Sequence, residues 1–342
     1  MRYSKPGRDQ GGGMNSVVIA AAATLSLLVA STWLLWPASR SKPLVVSNAT
    51  AVTSTAAAQP VQDDGPVSQE AQRLAAVYKK MADEFTNGDL DPAVIGQLRG
   101  WFHGLEGKAD TPWPRRYTEL EEPLRFGAVR LLVVPLDESP AVLRIAAGVT
   151  ADVMRLLPLG AKVFANSRGN YHSTIFHTSQ PTDPRADPTL PDGGVDLSLR
   201  PAQRRTMTPA EWGHELETMR RLVSETPVPV LRLERVVQAA SGVLLLTWTE
   251  VGEGAVIPDL RRRLREAFPG ASTKQATIIH SSMLRIAVAA ISAAAERWSA
   301  RLRGTRYSPA ALWLIRETEF STIAGEREVL TLADPAAAPR RW

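Results

Sequence analysis

One short pattern occurs twice in this sequence, each time on a segment with the composition of a β-strand. His172-Ser173-Thr174 lies in a stretch rich in β-branched and aromatic residues, and His280-Ser281-Ser282 lies in a second apolar stretch 108 residues further along. Successive side chains of a strand alternate between its faces, so each histidine shares a face with the hydroxyl two residues later, roughly 7 Å along the strand. The repeat therefore predicts a fold in which two similar strands face each other across a cleft.

The other predicted elements describe an α+β domain of two similar, pseudo-symmetric lobes. The order of elements is β, α, β and then α, β, β, α, β. A Thr-Pro-Ala-Glu sequence at 208–211 has the form of a capping box, and a loop of about 28 residues at 180–207 is dense in Pro, Asp and Arg. Predicted strands lie at 128–135, 170–179, 230–237, 242–250, 276–286, 312–319 and 326–333, and predicted helices at 69–86, 93–105, 140–157, 208–224, 257–267 and 287–303.

Two imidazoles and two hydroxyls in one cleft suit a particular chemistry. A neutral histidine can take a proton from an attacking water, while a protonated histidine gives a proton to a departing ribose oxygen. The hydroxyls can hydrogen-bond the non-bridging oxygens of a phosphate as charge builds up in the transition state. The pattern therefore indicates hydrolysis of a cyclic phosphodiester, for which we expect neither a metal nor another cofactor.

Longer segments around the two patterns resemble the two-histidine (2H) phosphoesterase superfamily, which includes the RNA 2′,3′-cyclic phosphodiesterases once called RNA ligases. The resemblance covers residues 126–333. The sequence also resembles uncharacterised plant and algal members of this superfamily. The resemblance implies that His172 and His280 are the general acid and base, and that Thr174 and Ser282 hold the phosphate. The segments that carry it are VRLLVVPLDESPAVL, VPVLRLERVVQAASGVLLLTWTE, WLIRETEFSTIAGEREVLTLA and HSSMLRI.

Two further residues are predicted substrate contacts. Arg285 follows the second pattern, where family members often carry a basic residue, and Tyr171 directly precedes the first. The chain departs from the family's usual pattern in having Ser282 where many members have threonine.

The register of the first pattern has an alternative. His177-Thr178-Ser179 also reads as histidine, any residue, hydroxyl. Regular alternation places Phe176 with His172 and sends His177 to the other face. We prefer His172 because an aromatic residue precedes it and an apolar pair follows its hydroxyl, as in a buried strand.

A membrane anchor is predicted near the N-terminus. Residues 17–36 contain no charge and span roughly 30 Å as a helix, the thickness of a bilayer's hydrocarbon core. A cleaved signal peptide is the alternative, although this run is long for one. Basic residues before the segment outnumber those after it, which predicts a cytosolic N-terminus and a lumenal or extracytoplasmic main domain, in the Golgi, endoplasmic reticulum or periplasm. Predicted boundaries are a tail at 1–16, a flexible stalk at 37–67, a helical extension at 68–125, the main domain at 126–333 and a tail at 334–342.

Charge and cysteine content exclude several classes of protein. The net charge is +5, but residues 1–42 contribute +4 of it and the remaining 300 residues are nearly balanced. We therefore expect contact with a bilayer through residues 17–36 and no extended nucleic-acid surface. The chain has no cysteine, which excludes disulfides, thiolate metal sites and cysteine nucleophiles.

Together these features predict a membrane-anchored, metal-independent phosphodiesterase that acts on a cyclic phosphate nucleotide or RNA end. An inactive module that binds a phosphorylated nucleotide or sugar is an alternative from a different class. A type II membrane glycosyltransferase is a third, because Asp89-Leu90-Asp91 matches a metal-binding pattern of such enzymes, although aspartates before a proline are more often helix caps. His103 and His214 are interpreted as a helix-end residue and a solvated helix residue, and the run at 261–266 as a solvated helix face. The sequence leaves the oligomeric state open.

Overall fold

A computed structural model describes residues 67–87, 90–106, 111–252, 254–285 and 291–333. Six α-helices and eleven β-strands lie within these ranges. The helices are α1 (Gln69–Asn87), α2 (Pro92–Arg99), α3 (Pro140–Leu156), α4 (Pro209–Ser224), α5 (Val256–Ala267) and α6 (Ser292–Leu302). The strands are β1 (Phe102–His103), β2 (Trp113–Pro114), β3 (Val129–Pro135), β4 (Phe164–Ala165), β5 (His172–Ser179), β6 (Leu231–Gln238), β7 (Leu244–Glu250), β8 (His280–Arg285), β9 (Arg306–Tyr307), β10 (Ala311–Glu317) and β11 (Gly325–Thr331).

Nine of the strands form one antiparallel sheet in the order β11-β10-β3-β5-β8-β7-β6-β9, with β4 added on β8. Each half of the sheet contributes one of the two central strands, β5 or β8. Strands β1 and β2 form a separate two-stranded ribbon. The predicted α+β class is confirmed.

The two central strands of the sheet, β5 and β8, are joined at a single residue pair. Ser173 on β5 pairs with Ser281 on β8, and both serines are fully buried. Their hydroxyl oxygens lie 2.7 Å apart, and the indole N–H of Trp248 donates to the Ser281 hydroxyl at 3.1 Å. Because the hydroxyls and the indole N–H of this junction have partners, they can be buried without a large desolvation cost.

Beside this junction, an arginine of α5 fills the space between the two separating strands. The guanidinium of Arg261 donates to the carbonyls of Thr174 and Ile175 on one side, at 3.3 and 3.0 Å, and to that of Ile278 on the other, at 2.9 Å. These backbone acceptors would otherwise have lost their ladder partners. The prediction that the arginine run at 261–266 is a solvated face is therefore wrong for Arg261, which points inward.

The sheet has a different cover on each face. The helix face packs against α1, α3, α4, α5 and α6, with Leu132, Leu314 and Leu246 in its core. The opposite face, called here the histidine face, carries His172, Thr174, His280 and Ser282. Its apolar part is covered by the segment around α2, β1 and β2, and by the turn after β10. The covering side chains include Leu98, Trp101, Phe102, Tyr117, Leu124, Phe320 and Ile323.

Most predicted boundaries are confirmed within a few residues. The capping box at the start of α4 is present, since the backbone N–H of Glu211 donates to Thr208 Oγ1 at 3.3 Å and the Glu211 carboxylate accepts from the Thr208 N–H at 2.6 Å. Helix α2 ends at Arg99 instead of continuing to residue 105. His103 is consequently a strand residue paired with Trp113, and its interpretation as a helix-end residue is wrong.

The predicted membrane anchor lies outside the described residues. So do the tail before it, all but the last residue of the predicted stalk, and the C-terminal tail. Among the helices in the described ranges, none combines the length and apolarity needed to cross a membrane.

The long loop at 180–207 is held to the sheet by a buried ion pair. The Arg130 guanidinium donates to both carboxylate oxygens of Glu215, at 3.0 and 2.9 Å, and to the carbonyl of Arg185 in the loop, also at 2.9 Å. The Thr178 hydroxyl donates to the same carboxylate at 2.7 Å. Arg130 and Glu215 are almost fully excluded from solvent, so neither charge has water to replace a missing partner.

We expect Glu215→Gln to lower the free energy of unfolding by about 3–5 kcal/mol, because it leaves the Arg130 charge buried without a counterion. Glu217→Gln, on the exposed side of the same helix, removes only a surface pair with Arg220 and should cost less than about 1 kcal/mol. Urea unfolding of both variants followed by circular dichroism measures the difference. Equal losses would contradict the assigned role of the buried pair.

Candidate functional site

The junction between the lobes brings the two predicted patterns together. Because β5 and β8 are antiparallel and pair at their central serines, His172 lies opposite Ser282 and Thr174 lies opposite His280. The four side chains share the face turned away from the serine hydroxyls. The structure thus gathers both imidazoles and both hydroxyls into one group.

A β-bulge changes the direction of the residues that follow the first pattern. On β5, Thr174 pairs with Val133 and Phe176 pairs with Leu132, so Ile175 is an extra residue without a partner on β3. Phe176 therefore joins the helix-face core, and His177 pairs with Leu131, whose side chain belongs to the histidine face. The prediction that Phe176 accompanies His172 and that His177 points away is wrong, because it assumed an unbroken alternation.

The second pattern has the same irregularity at the equivalent position. On β8, Ser282 pairs with Leu245 and Leu284 pairs with Leu244, which leaves Met283 as the extra residue. Arg285 then faces the same way as its β4 partner Phe164, toward the histidine face.

The offset of 108 residues therefore extends over six consecutive positions, 172–177 and 280–285. It relates the two histidines, the two buried serines, the two hydroxyls and the two bulged residues. By the same offset, His177 is the counterpart of Arg285. Both lobes thus place a basic side chain five positions after the patterned histidine, on the same face.

The polar group on the histidine face, extended by His177 and Arg285, has one covered end and one open end. The covered end consists of His172, Ser282 and Arg285, each of which is at most 9% exposed. The open end consists of Thr174, His177 and His280, which are all partly exposed. A ligand coming from solvent therefore meets the open end first.

Aromatic rings close the covered end. The guanidinium carbon of Arg285 lies 5.4 Å from the ring centre of Phe320, within cation–π range. Phe320 in turn contacts Trp101 and Phe102, at 4.9 and 5.5 Å between ring centres. The extension at 68–125, which contains Trp101 and Phe102, thus supplies part of the wall of the site.

The tautomer of His172 is fixed by its surroundings. Its Nδ1 lies 2.7 Å from the carbonyl oxygen of Asn170, which can only accept a hydrogen bond, so Nδ1 carries a proton. Nε2 is therefore the atom of His172 that can gain or lose a proton during a reaction.

Several polar atoms of the site have no hydrogen-bond partner among the described residues, although they are buried. They are Nδ1 of His177, Nδ1 of His280, Nε of Arg285 and Oδ1 of Asn166. Asn166 is held in place by its amide N–H, which donates to the Ser282 carbonyl at 2.7 Å. Unsatisfied polar atoms are rare in protein interiors, so their concentration here indicates a site for polar groups supplied from outside.

Burial keeps the three imidazoles of the site neutral. It lowers the pKa of His172 and of His177 to about 4 and that of His280 to about 3, because the charged form loses its hydration. Nearby positive charges lower the pKa values further. Arg285 acts on His172 and His280, Arg261 acts on His280 and His177, and Lys274 acts on His177.

All the charged side chains that act on these imidazoles are basic. The guanidinium of Arg285 remains charged at neutral pH, since burial lowers its pKa only to about 10. The acid that acts on Arg285 is Glu317, whose own pKa is raised to about 7 by burial and whose carboxylate accepts a hydrogen bond from Tyr117 at 2.7 Å. An excess of positive charge in a buried site favours an anionic ligand.

Tyr171 is not brought to the site. Its ring is packed in the helix-face core and is 3% exposed, and its hydroxyl lies 3.4 Å from that of Thr150 on α3. It precedes His172 by one residue and so points to the opposite face. Its position contradicts the predicted substrate contact.

The remaining candidates have structural roles. Asp91 caps α2 by accepting from the backbone N–H groups of Ala93 and Val94 at 2.9 and 3.1 Å, while Asp89 lies outside the described residues. His214 is exposed on α4, as predicted. Within the described ranges, no three histidine, aspartate or glutamate side chains converge in a way that could hold a metal ion.

Sequence reasoning missed two residues that shape the site. Asn166 belongs to no sequence motif, and only its hydrogen bond to the Ser282 carbonyl on β8 places it at the site. Gln275 binds the backbone of His177 through its side-chain amide, accepting from the N–H at 2.9 Å and donating to the carbonyl at 2.7 Å. No local pattern in the sequence points to either contact, because both join segments about 100 residues apart.

The solved structures that match the chain include two that cover 60% of its length. TT0787 of Thermus thermophilus is 13% identical, with a TM-score of 0.34 and coverage of 100% of that chain. LigT of E. coli, crystallised in complex with NADP+, is 14% identical, with a TM-score of 0.36 and coverage of 98% of that chain. No protein-family model and no curated protein matches the sequence.

We expect His172 and His280 to be neutral at about pH 6 in the free protein and to bind protons more tightly when inorganic phosphate is present. The bound anion stabilises the imidazolium, so each pKa should rise by about one unit or more, which corresponds to about 1.4 kcal/mol per unit. Imidazole ¹⁵N chemical shifts of the five histidines, followed against pH with and without phosphate, measure this change. A response of the exposed His214 as large as that of His172 would contradict a specific site.

Proposed function

We propose that the protein is a phosphodiesterase of the two-histidine type, which hydrolyses a 2′,3′-cyclic phosphate or a related cyclic phosphodiester without a metal ion. Residues 126–333 would form the catalytic domain, and residues 68–125 an extension that covers one end of its site. The observation that carries the proposal is the pairing of Ser173 with Ser281, which sets two histidines and two hydroxyls against each other on one buried, positively charged face.

In the proposed reaction the phosphate lies between the two imidazoles. The hydroxyl groups of Thr174 and Ser282 donate hydrogen bonds to its non-bridging oxygens. The charge of Arg285 offsets the negative charge that increases on those oxygens as water attacks. Each of these groups is already positioned in the free protein, so little reorganisation is needed at the moment of reaction.

Proton transfer is divided between His172 and His280. One neutral imidazole takes a proton from the attacking water as the new P–O bond forms. The other, protonated when the anion binds, gives its proton to the ribose oxygen as the old P–O bond breaks. The product is a phosphomonoester, and the two histidines have exchanged protonation states. Exchange with solvent restores them for the next cycle.

We expect His172→Asn and His280→Asn each to lower kcat/KM by about 10²–10⁴, the usual contribution of one general acid or base. The assay uses the full-length protein with a panel of 2′,3′-cyclic nucleotides and short RNAs that end in a cyclic phosphate, in the presence of a chelator. Conversion to the 2′- or 3′-phosphomonoester is followed by ³¹P NMR.

His214→Asn is the matched control, because the same substitution is made on an exposed helix surface away from the sheet. Turnover that is lost on chelation, or that survives in His172→Asn and His280→Asn, would reject the two-histidine mechanism.

An inactive phosphate-binding module is the second candidate. The burial of His172, which is 9% exposed beneath the aromatic wall, is the observation that favours it. Saturable binding of a nucleoside monophosphate by the unmodified protein, with no turnover on the whole panel, would identify this function.

We also propose that residues 17–36 anchor the protein in a membrane, with the catalytic domain on the extracytoplasmic side. The uncharged run and the distribution of basic residues around it support this topology.

A tag at the C-terminus should resist protease added to the cytosolic side of sealed membranes and should be digested once detergent opens them. A tag at the N-terminus should behave in the opposite way. Digestion of the C-terminal tag in sealed membranes would reverse the proposed orientation, and release of the protein by alkaline wash would exclude the anchor.

A further inference from the structure

His177 is a polar residue of the site that the proposed reaction does not use. The bulge at Ile175 turns its ring onto the histidine face, at the open end and beyond Thr174. Its Nδ1 is buried and has no partner among the described residues. A ring that is held in the site with an unsatisfied polar atom has a ligand atom as its natural partner.

The backbone of His177 is fixed by an adjacent loop. The side-chain amide of Gln275 forms two hydrogen bonds with the His177 main chain and a third with the Ser272 carbonyl, at 2.7 Å. The neighbouring Lys274 is half-buried, and its carbonyl accepts from the Gln180 side chain at 2.8 Å. This arrangement holds the Lys274 ammonium close enough to act electrostatically on the His177 imidazole.

The charges around His177 favour an anion. The groups that act on its imidazole are His172, Lys274 and Arg261, and no carboxylate is among them. Both His177 and Lys274 are partly exposed, so a charged group can reach them without being fully desolvated.

The spacing along β5 matches a nucleotide that carries a second phosphoryl group. His177 lies three positions after Thr174, and one of the two residues between them is bulged, which gives roughly 7 to 10 Å along the strand. A cyclic phosphate and a phosphate on the 5′ oxygen are separated by one ribose, which spans about that distance. The covered end offers no equivalent space, because Arg285 there is already packed on Phe320 and hydrogen-bonded to the Ser321 hydroxyl.

We propose that His177 and Lys274 form a second anion subsite, which binds the phosphoryl group on the 5′ oxygen of the nucleotide whose cyclic phosphate lies between His172 and His280. This inference rests on the proposed function and adds to it a preference for substrates that carry a phosphoryl group on the 5′ oxygen. The imidazole N–H and the ammonium donate to the second phosphoryl group, while Thr174 and Ser282 hold the reacting one. A nucleotide is thereby oriented with its cyclic phosphate toward the covered end.

The experiment compares kcat/KM of the full-length protein for three substrates at one ionic strength. They are adenosine 2′,3′-cyclic phosphate, the same nucleotide with a 5′-phosphate, and a dinucleotide that ends in the cyclic phosphate. Charged hydrogen bonds to the second phosphoryl group should raise kcat/KM about tenfold over the unphosphorylated nucleotide. A gain with the dinucleotide identifies an RNA chain as the source of that group. A gain with the 5′-phosphate alone identifies a mononucleotide.

His177→Phe keeps the size and planarity of the ring and removes its hydrogen bonds, so the ratio between phosphorylated and unphosphorylated substrates should fall to about one. Lys274→Gln, a change on a partly exposed loop, should lower the ratio in the same direction and tests the subsite if the first variant does not fold. The matched control is His214→Phe on the exposed surface of α4, which should keep the full ratio.

The outcomes separate the two proposals. Cleavage of all three substrates at similar kcat/KM, or a preference unchanged in His177→Phe and Lys274→Gln, would overturn the subsite and leave the proposed function intact. Absence of cleavage for every substrate would overturn both. A preference that is lost in these two variants and kept in His214→Phe supports the subsite.

Discussion

The candidate site depends on one pair of residues, Ser173 and Ser281, at which the two halves of the sheet meet. An antiparallel pair fixes its neighbours as well, so this contact alone determines that each histidine faces the hydroxyl of the other strand. Away from the pair the strands separate, and their backbone groups are satisfied by side chains such as Arg261 and Gln275. The separation creates the cleft, and the junction keeps the reactive groups at a fixed distance.

The two bulges determine how many basic groups enter the cleft. Without an extra residue at Ile175 and Met283, strict alternation would send His177 and Arg285 to the helix face, into an apolar core where an unpaired charge is very costly. With the bulges, both side chains reach the histidine face. The resulting positive environment keeps the imidazoles neutral until an anion arrives, and so links the irregular backbone to the electrostatics of the site.

Local features of the sequence predicted the regular elements and the two histidine patterns, because apolar periodicity and capping are encoded within a few residues. The bulges could not be predicted, since an unpaired residue is defined by the register with a neighbouring strand, and the orientation of His177 was therefore misjudged. Tyr171 was assigned to the site from its position next to His172, although adjacent strand residues point to opposite faces. The inward turn of Arg261 and the buried pair of Arg130 with Glu215 depend on contacts distant in sequence, which no local pattern contains.

The aromatic wall formed by Trp101, Phe102 and Phe320 covers one end of the histidine face, where Phe320 packs on Arg285. In such a space the reactant enters and the product leaves through the same mouth, so a reaction that releases two large fragments would be obstructed. Opening a cyclic phosphodiester releases none, because the departing oxygen stays attached to the same sugar and only a small water molecule is consumed. A site that is covered at one end therefore supports the proposed ring opening over cleavage within a chain.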